Sequence, residues 1–274
     1  MKMADILRLQ VEMKHKGEYV YSNYYNKYND LTEDLDAIIC DDAVVFFVSE
    51  QYVKRTFFCA SDLDSLCRLL EQAPANTVLD YINKGKMPEE VEKSIINGGY
   101  KLRDIYSRNS RPIPYTPPEE SVDKKYVQML NKLYNPTLGE HAKPEDFSMI
   151  KQVLLENFDP VNSDVFSDED LKEAINNGWV WIYKVDGQIC CMYIYQIIGK
   201  KRYGAITYNR LSADYLYSIV KNADDDSEEK YGVKQHYFWV NDSNKKIART
   251  LIKEGKFMPD GIKNYIYYKE EKND

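Results

Sequence analysis

Phe238-Trp239-Val240-Asn241-Asp242-Ser243-Asn244 carries the chain from an apolar strand into a helix within one short stretch. The aromatic and β-branched run Lys234–Val240 suits a half-buried strand, and Ser243–Lys253 has helical periodicity with Ile247 and Ala248 on one face. Asn244 has two readings: a helix cap, which needs no ligand, or a contact to a bound cofactor.

Working outward, Ala213–Lys221 reads as a helix and Lys201–Tyr208 as a strand. Trp179–Val185 and Gln188–Ile198 flank an Asp186-Gly187 turn, a hairpin signal. Before them lie a short strand near Leu138–Ala142 and two helices. One has Pro144 in its first turn, and the other is capped by Ser167 with Asp170 at capping-box spacing. Ile262–Lys269 closes the chain as a strand.

Further upstream, Ser107–Pro118 (SRNSRPIPYTPP) holds four prolines, which remove backbone donors and fix φ, so we place a boundary there. A helix follows at Val122–Tyr134. The N-terminal half reads as strands Ala43–Val48 and Tyr52–Ala60, then a helix to Gln72 opened by Ser61 with Asp64 at capping-box spacing. A strand (Thr77–Ile82), a helix (Pro88–Ile96) and a strand (Tyr100–Tyr106) complete it. The halves share an order: adjacent strands, helix, strand, helix, a Gly-containing turn, and an aromatic strand. Asn97-Gly98-Gly99-Tyr100 parallels Glu254-Gly255-Lys256-Phe257. This implies a duplicated unit of about 100 residues rather than a solenoid. The expected division is 1–110, a linker and helix over 111–135, and 136–274.

The composition narrows the function. A net charge of −7 and a pI near 5.2 argue against tracking nucleic-acid phosphates. Lys124-Lys125 and Lys200-Lys201-Arg202 read as solvated ends of elements, and the acidic run 224–229 as a solvated loop or helix end, not a metal site. No stretch reaches the ~18 apolar residues of a membrane span and Met1–Asp5 lacks a signal core, so a cytoplasmic location and no membrane partner are expected. Five cysteines without a CxxC pair and three dispersed histidines signal neither a disulfide framework nor a zinc site. Trp179, Trp181 and the tyrosine pairs read as strand packing.

From Glu140 to residue 270 the order of elements resembles the GNAT superfamily of N-acetyltransferases. Phe238–Asn244, Ile247-Ala248 and Phe257-Met258-Pro259-Asp260-Gly261 look like that family's late strand, its helix-opening Asn and its closing turn. The resemblance implies an α/β (α+β) fold of two GNAT-like domains, each a mixed, mostly antiparallel sheet flanked by helices, the first a truncated copy. It implies acetyl-CoA as cofactor and acyl transfer to an amine of a small molecule or peptide; a homodimer is allowed. Thr207-Tyr208-Asn209-Arg210-Leu211-Ser212-Ala213-Asp214-Tyr215 stands at the family's pyrophosphate loop, where glycines let backbone N–H groups approach the anion at a helix N-terminus. Tyr208, Asn209, Arg210, Ser212, Ala213 and Asn244 thereby become cofactor-contact candidates. Ala213 stands in a glycine position, Tyr215 replaces a small residue, and Asp214 adds negative charge. Lys201–Asn209 supplies no carboxylate base, and Leu251 stands where a proton-donating Tyr is expected. Tyr208 and His236 are the candidate catalytic substitutes. Loss of the usual groups also motivates a second reading, a non-catalytic module (a pseudoenzyme) holding a metabolite or protein partner.

Overall fold

The computed structural model describes residues 1–15, 19–25, 27–114, 128, 132–162, 165–245, 247 and 256–271. The chain divides into two compact units, Met1–Tyr106 with Gly261–Asp274, and Ser107–Asp260.

The first unit opens with helix α1 (Met3–His15) and a two-residue strand, β1 (Tyr21–Ser22). Strands β2 (Asp36–Cys40), β3 (Ala43–Ser49) and β4 (Lys54–Ala60) form an antiparallel meander. Helix α2 (Leu63–Glu71) then leads to β5 (Thr77–Lys84), which runs parallel to β4, and α3 (Glu89–Asn97) leads to β6 (Lys101–Pro112). β3 is buried on both faces, which its uninterrupted AVVFFV run makes possible. One face meets Leu66, Leu69 and Leu70 of α2 with Val91 and Ile95 of α3; the other meets Met3 and Ile6 of α1. The α2 N-cap is Asp62, whose carboxylate accepts the Ser65 N–H at 2.6 Å, not the expected Ser61. At the other end of α2 the buried Lys269 Nζ donates to the carbonyls of Leu70 and Glu71, at 2.6 and 2.9 Å. A cation there satisfies carbonyls that the helix itself leaves open.

In the second unit β7 (Glu140–His141) is followed by a 3₁₀ turn (Pro144–Asp146) and helices α4 (Phe147–Asn157) and α5 (Asp168–Asn176). Strands β8 (Val180–Val185), β9 (Gln188–Ile198) and β10 (Lys201–Asn209) form a second antiparallel meander. Helix α6 (Ala213–Tyr231) then leads to β11 (Gln235–Asn241), parallel to β10. One sheet face packs on α4 and α5 through Ile182, Met192, Ile194, Ile206 and Tyr208. The other packs on α6 through Trp181, Tyr193 and Tyr195. Ser167 caps α5 through the Asp170 N–H, as expected. The Asn222 amide of α6 donates to the carbonyls of Pro136 and Leu138, tying the incoming segment to the helix.

Four sequence expectations are corrected. The acidic run 224–229 is not a loop but forms the C-terminal turns of α6, and its Asp224 is not solvated but faces the sheet. Arg202, read as part of a solvated strand end, is fully buried. β6 continues through Ser107 and ends at Pro112, because the first five residues of that stretch, Ser107–Arg111, hold no proline and keep their backbone donors. The last strand, β12 (Met258–Lys269), pairs antiparallel with β5 over eight residues, from Ile262↔Lys84 to Lys269↔Thr77, so from Gly261 onward it belongs to the first unit. Chain order alone does not fix which sheet a strand completes. α1 and β2 were not expected from the sequence. Most of the helix expected at Val122–Tyr134, and the one at Ser243–Lys253 apart from 243–245 and 247, lie outside the described residues.

Glu50 in the first unit accepts hydrogen bonds from Tyr28, Lys27 and Arg55. Burial works against its charge, but Arg55 and Lys27 outweigh burial and hold the carboxyl at about 2, below its ordinary 4.5. A depressed carboxyl stabilises the fold fully above about pH 4.5, and that contribution is lost as the pH falls toward 2. Denaturation midpoints between pH 5 and 2.5 are expected to fall more steeply for the native chain than for Glu50→Gln.

Candidate functional site

The second unit's sheet changes character at one point on β10. Gly204 pairs with Tyr195 of β9, but Ile206 pairs with Ile194, so Ala205 is an extra residue, a β-bulge. A bulge of one residue reverses which face later side chains take. Arg202 and Gly204 therefore face α6, while Ile206 and Tyr208 face α4 and α5. The parallel pairing of β10 with β11 also stops here: it runs from Lys201↔Gln235 to Gly204↔Phe238. Beyond it no register pair joins the two strands among the described residues, and a cleft opens between two parallel strands. Gly204 is required at its apex, since a Cβ there would come within 2.6 Å of the Phe238 ring and 3.0 Å of the Tyr193 hydroxyl.

β10 leads directly into the N-terminus of α6. The turn is held by its own polar groups: Arg210 N–H donates to Cys190 O, and Asn209 Oδ1 accepts from Leu211 N–H. Ser212 is the N-cap residue, yet its hydroxyl makes no capping bond. The Tyr215 N–H turns back to Ser212 O at 3.2 Å, and the Ala213 and Asp214 amides are left to solvent or to an anion. Arg210 is exposed, with its guanidinium 5.5 Å from the Tyr208 ring centre.

Beneath the apex, on the α6 side, lies a buried charged cluster. Arg202 and Arg111 both pair with Asp224, and Arg202 NH1 donates to Ser227 Oγ at 3.2 Å. Arg202 also lies 2.9 Å from His236 Nδ1, and His236 Nε2 lies 2.8 Å from the Tyr193 hydroxyl. Arginine only donates, so Nδ1 must carry the lone pair, and a neutral His236 must then hold its proton on Nε2 and donate it to Tyr193. Burial, Arg202 and Arg111 hold His236 well below the ordinary histidine range.

No family model matches the sequence, and no curated protein does. Solved structures do match. A GCN5-related N-acetyltransferase from Sphaerobacter thermophilus superposes with a TM-score of 0.56 at 11% identity, covering 84% of this chain and 76% of that one. A tandem GNAT protein from the clavulanic acid biosynthesis pathway, solved without acetyl-CoA, gives 0.51 at 8% identity over 85% and 80%. A GNAT-family acetyltransferase from Colwellia psychrerythraea gives 0.50 at 8% over 99% and 98%. The chain has a GNAT-like fold. At such identities the likeness concerns the fold alone.

Within this GNAT-like fold the expected site residues separate. Tyr208, Asn209, Arg210, Ser212 and Ala213 gather at the open end of β10 and the start of α6. Asn244 acts as a helix cap, its Oδ1 accepting the Ile247 N–H at 3.1 Å. Tyr208 and His236 do not converge, because the bulge puts them on opposite faces. His236 is 1% exposed and both ring nitrogens are engaged, so the catalytic role expected of it is corrected: it offers no lone pair to a substrate. Leu251 lies outside the described residues. Arg202, Asp224, Arg111 and Tyr193 were missed by the sequence reading. The available signal was a basic residue at an inward position of an otherwise apolar strand, followed by an acidic residue on the next helix.

The groups facing His236 are Tyr193, Arg202, Arg111 and Asp224, with the Phe238 and Phe257 rings. A depressed histidine stays neutral in the fold while the unfolded chain takes up a proton. Stability therefore falls as the pH drops below about 6.5, by up to ~1.4 kcal/mol per pH unit for this group. Nitrogen-15 NMR of the ring at pH 5.5 is expected to show a neutral imidazole protonated at Nε2, whereas an imidazolium signal would contradict the assigned bonding.

Proposed function

We propose that the second unit binds an acyl-CoA thioester such as acetyl-CoA in the cleft between β10 and β11, and passes its acyl group to an amine of a small molecule or peptide. One observation carries this reading: the parallel pair opens at the bulge and leads straight into a helix N-terminus whose cap residue makes no capping bond, with an exposed arginine beside it. The open strand edges offer backbone donors and acceptors to an extended chain bearing amides. The Ala213 and Asp214 amides of α6 and the Arg210 guanidinium suit a pyrophosphate, the latter as a two-pronged donor. Asp214 in the same turn opposes that anion.

In the transfer, the amine nitrogen attacks the thioester carbonyl carbon. A C–N bond forms, the C–S bond breaks, the nitrogen releases a proton and the thiolate gains one. Tyr208 is the phenol on the open half of β10, and its hydroxyl would return the proton to sulfur. No carboxylate lies on Lys201–Asn209, so the amine proton goes to solvent.

The second reading, a GNAT-like binding module without catalysis, is favoured by the enclosure of His236. Titration calorimetry with acetyl-CoA and CoA tests the shared premise. Micromolar binding is expected, weakened in Arg210→Ala by ~1 to 3 kcal/mol, the scale of a lost charge-assisted hydrogen bond. Absence of binding at millimolar acetyl-CoA overturns the cofactor assignment. Binding without CoA release across a panel of amines selects the module.

A further inference from the structure

The first unit contains a cleft of the same construction, and it is filled. β4 and β5 are parallel and pair only at Lys54↔Thr77 and Arg55↔Val78, after which their facing edges diverge. Into the gap comes the segment Tyr21–Tyr25. Tyr21 and Ser22 pair antiparallel with Ala60 and Cys59 of β4. Asn23, fully buried, spans the opening. Its amide donates to Thr56 O of β4 at 3.0 Å and to Asp80 O of β5 at 2.9 Å, while its Oδ1 accepts the Phe58 N–H at 2.7 Å. The Tyr25 hydroxyl completes the β5 edge, accepting the Ile82 N–H at 2.6 Å and donating to Ile82 O at 2.9 Å.

Most of these backbone groups are satisfied by side chains rather than by a continued ladder. That is how an extended ligand seated between two strands would satisfy them, and buried backbone groups must be satisfied by something. The neighbouring helix N-terminus is closed to anions, because the Asp62 carboxylate already takes the Ser65 N–H and Asp64 adds charge. The opening therefore suits an uncharged extended polypeptide rather than a phosphate-bearing one.

We propose that the β4–β5 cleft is a binding site for an extended polypeptide segment, occupied in this chain by its own Tyr21–Tyr25 as an internal ligand. The inference concerns the first unit and stands independently of acyl-CoA binding in the second.

The test uses the full chain carrying Asn23→Ala and Tyr25→Phe, with amide hydrogen exchange as readout. Exchange at Phe58 and Ile82 is expected to quicken roughly five- to tenfold, the scale of one lost hydrogen bond, while amides of the β2–β3 ladder keep their native rates. A synthetic peptide of residues 19–27 added in excess is expected to restore protection in the variant and to leave the native chain unchanged. Native exchange rates at Phe58 and Ile82 in the variant would overturn the proposal, as would failure of the peptide to restore protection. If the double variant does not fold, Tyr25→Phe alone provides the same readout at Ile82. Acetyl-CoA titration of the variant reports on the second unit alone: unchanged affinity is expected, and a loss of affinity would overturn the independence of the two sites.

Discussion

One extra residue on β10 sets the rest of the second unit. Without Ala205 as a bulge, Ile206 and Tyr208 would face α6 along with Arg202, the hydrophobic face against α4 and α5 would lose two side chains, and β11 would be free to continue its ladder. The bulge separates two functions within nine residues of strand: the first half is a structural anchor and the second an open edge. Gly204 sits at the junction because the Phe238 ring rests directly against its backbone.

The anchor half is expensive to bury. Two guanidinium groups meet at one carboxylate in a nearly dry space, and such an arrangement persists only where the surroundings take up the field. The rings of Tyr193 and Tyr195 lie 5.5 and 5.2 Å from the Arg202 guanidinium, and Phe257 lies 5.0 Å from Arg111, so aromatic faces supply part of that compensation. A neutral His236 fits the same logic. It accepts from Arg202 without adding a second cation, and orients the Tyr193 hydroxyl toward Gly204.

The local grammar of the fold was legible in the sequence: the Asp186-Gly187 turn, the Ser167 cap and the strands of the second meander lie where residue type and turn chemistry put them. The GNAT-like order of the second unit was legible for the same reason. What could not be read depends on pairing across long sequence separations. The residue 205 bulge is a register relation between strands, and nothing in Gly204-Ala205-Ile206 announces it. Arg202 and the acidic run looked solvated because each was judged by its neighbours in sequence, whereas their partners lie 22 or more residues away. Of the candidate site, the loop residues Asn209–Ala213 were placed by local order, while the separation of Tyr208 from His236 needed the register.

The position of β12 bears on how the protein is made. Its residues pair with a strand made some 180 positions earlier, so β5 keeps an unpaired edge until the chain has been synthesised through residue 269. Contacts of such range are slow to form, and an exposed strand edge in the meantime invites pairing with other chains. The first unit is thus begun before the second and completed after it, its closing strand following the whole of the second unit in the chain.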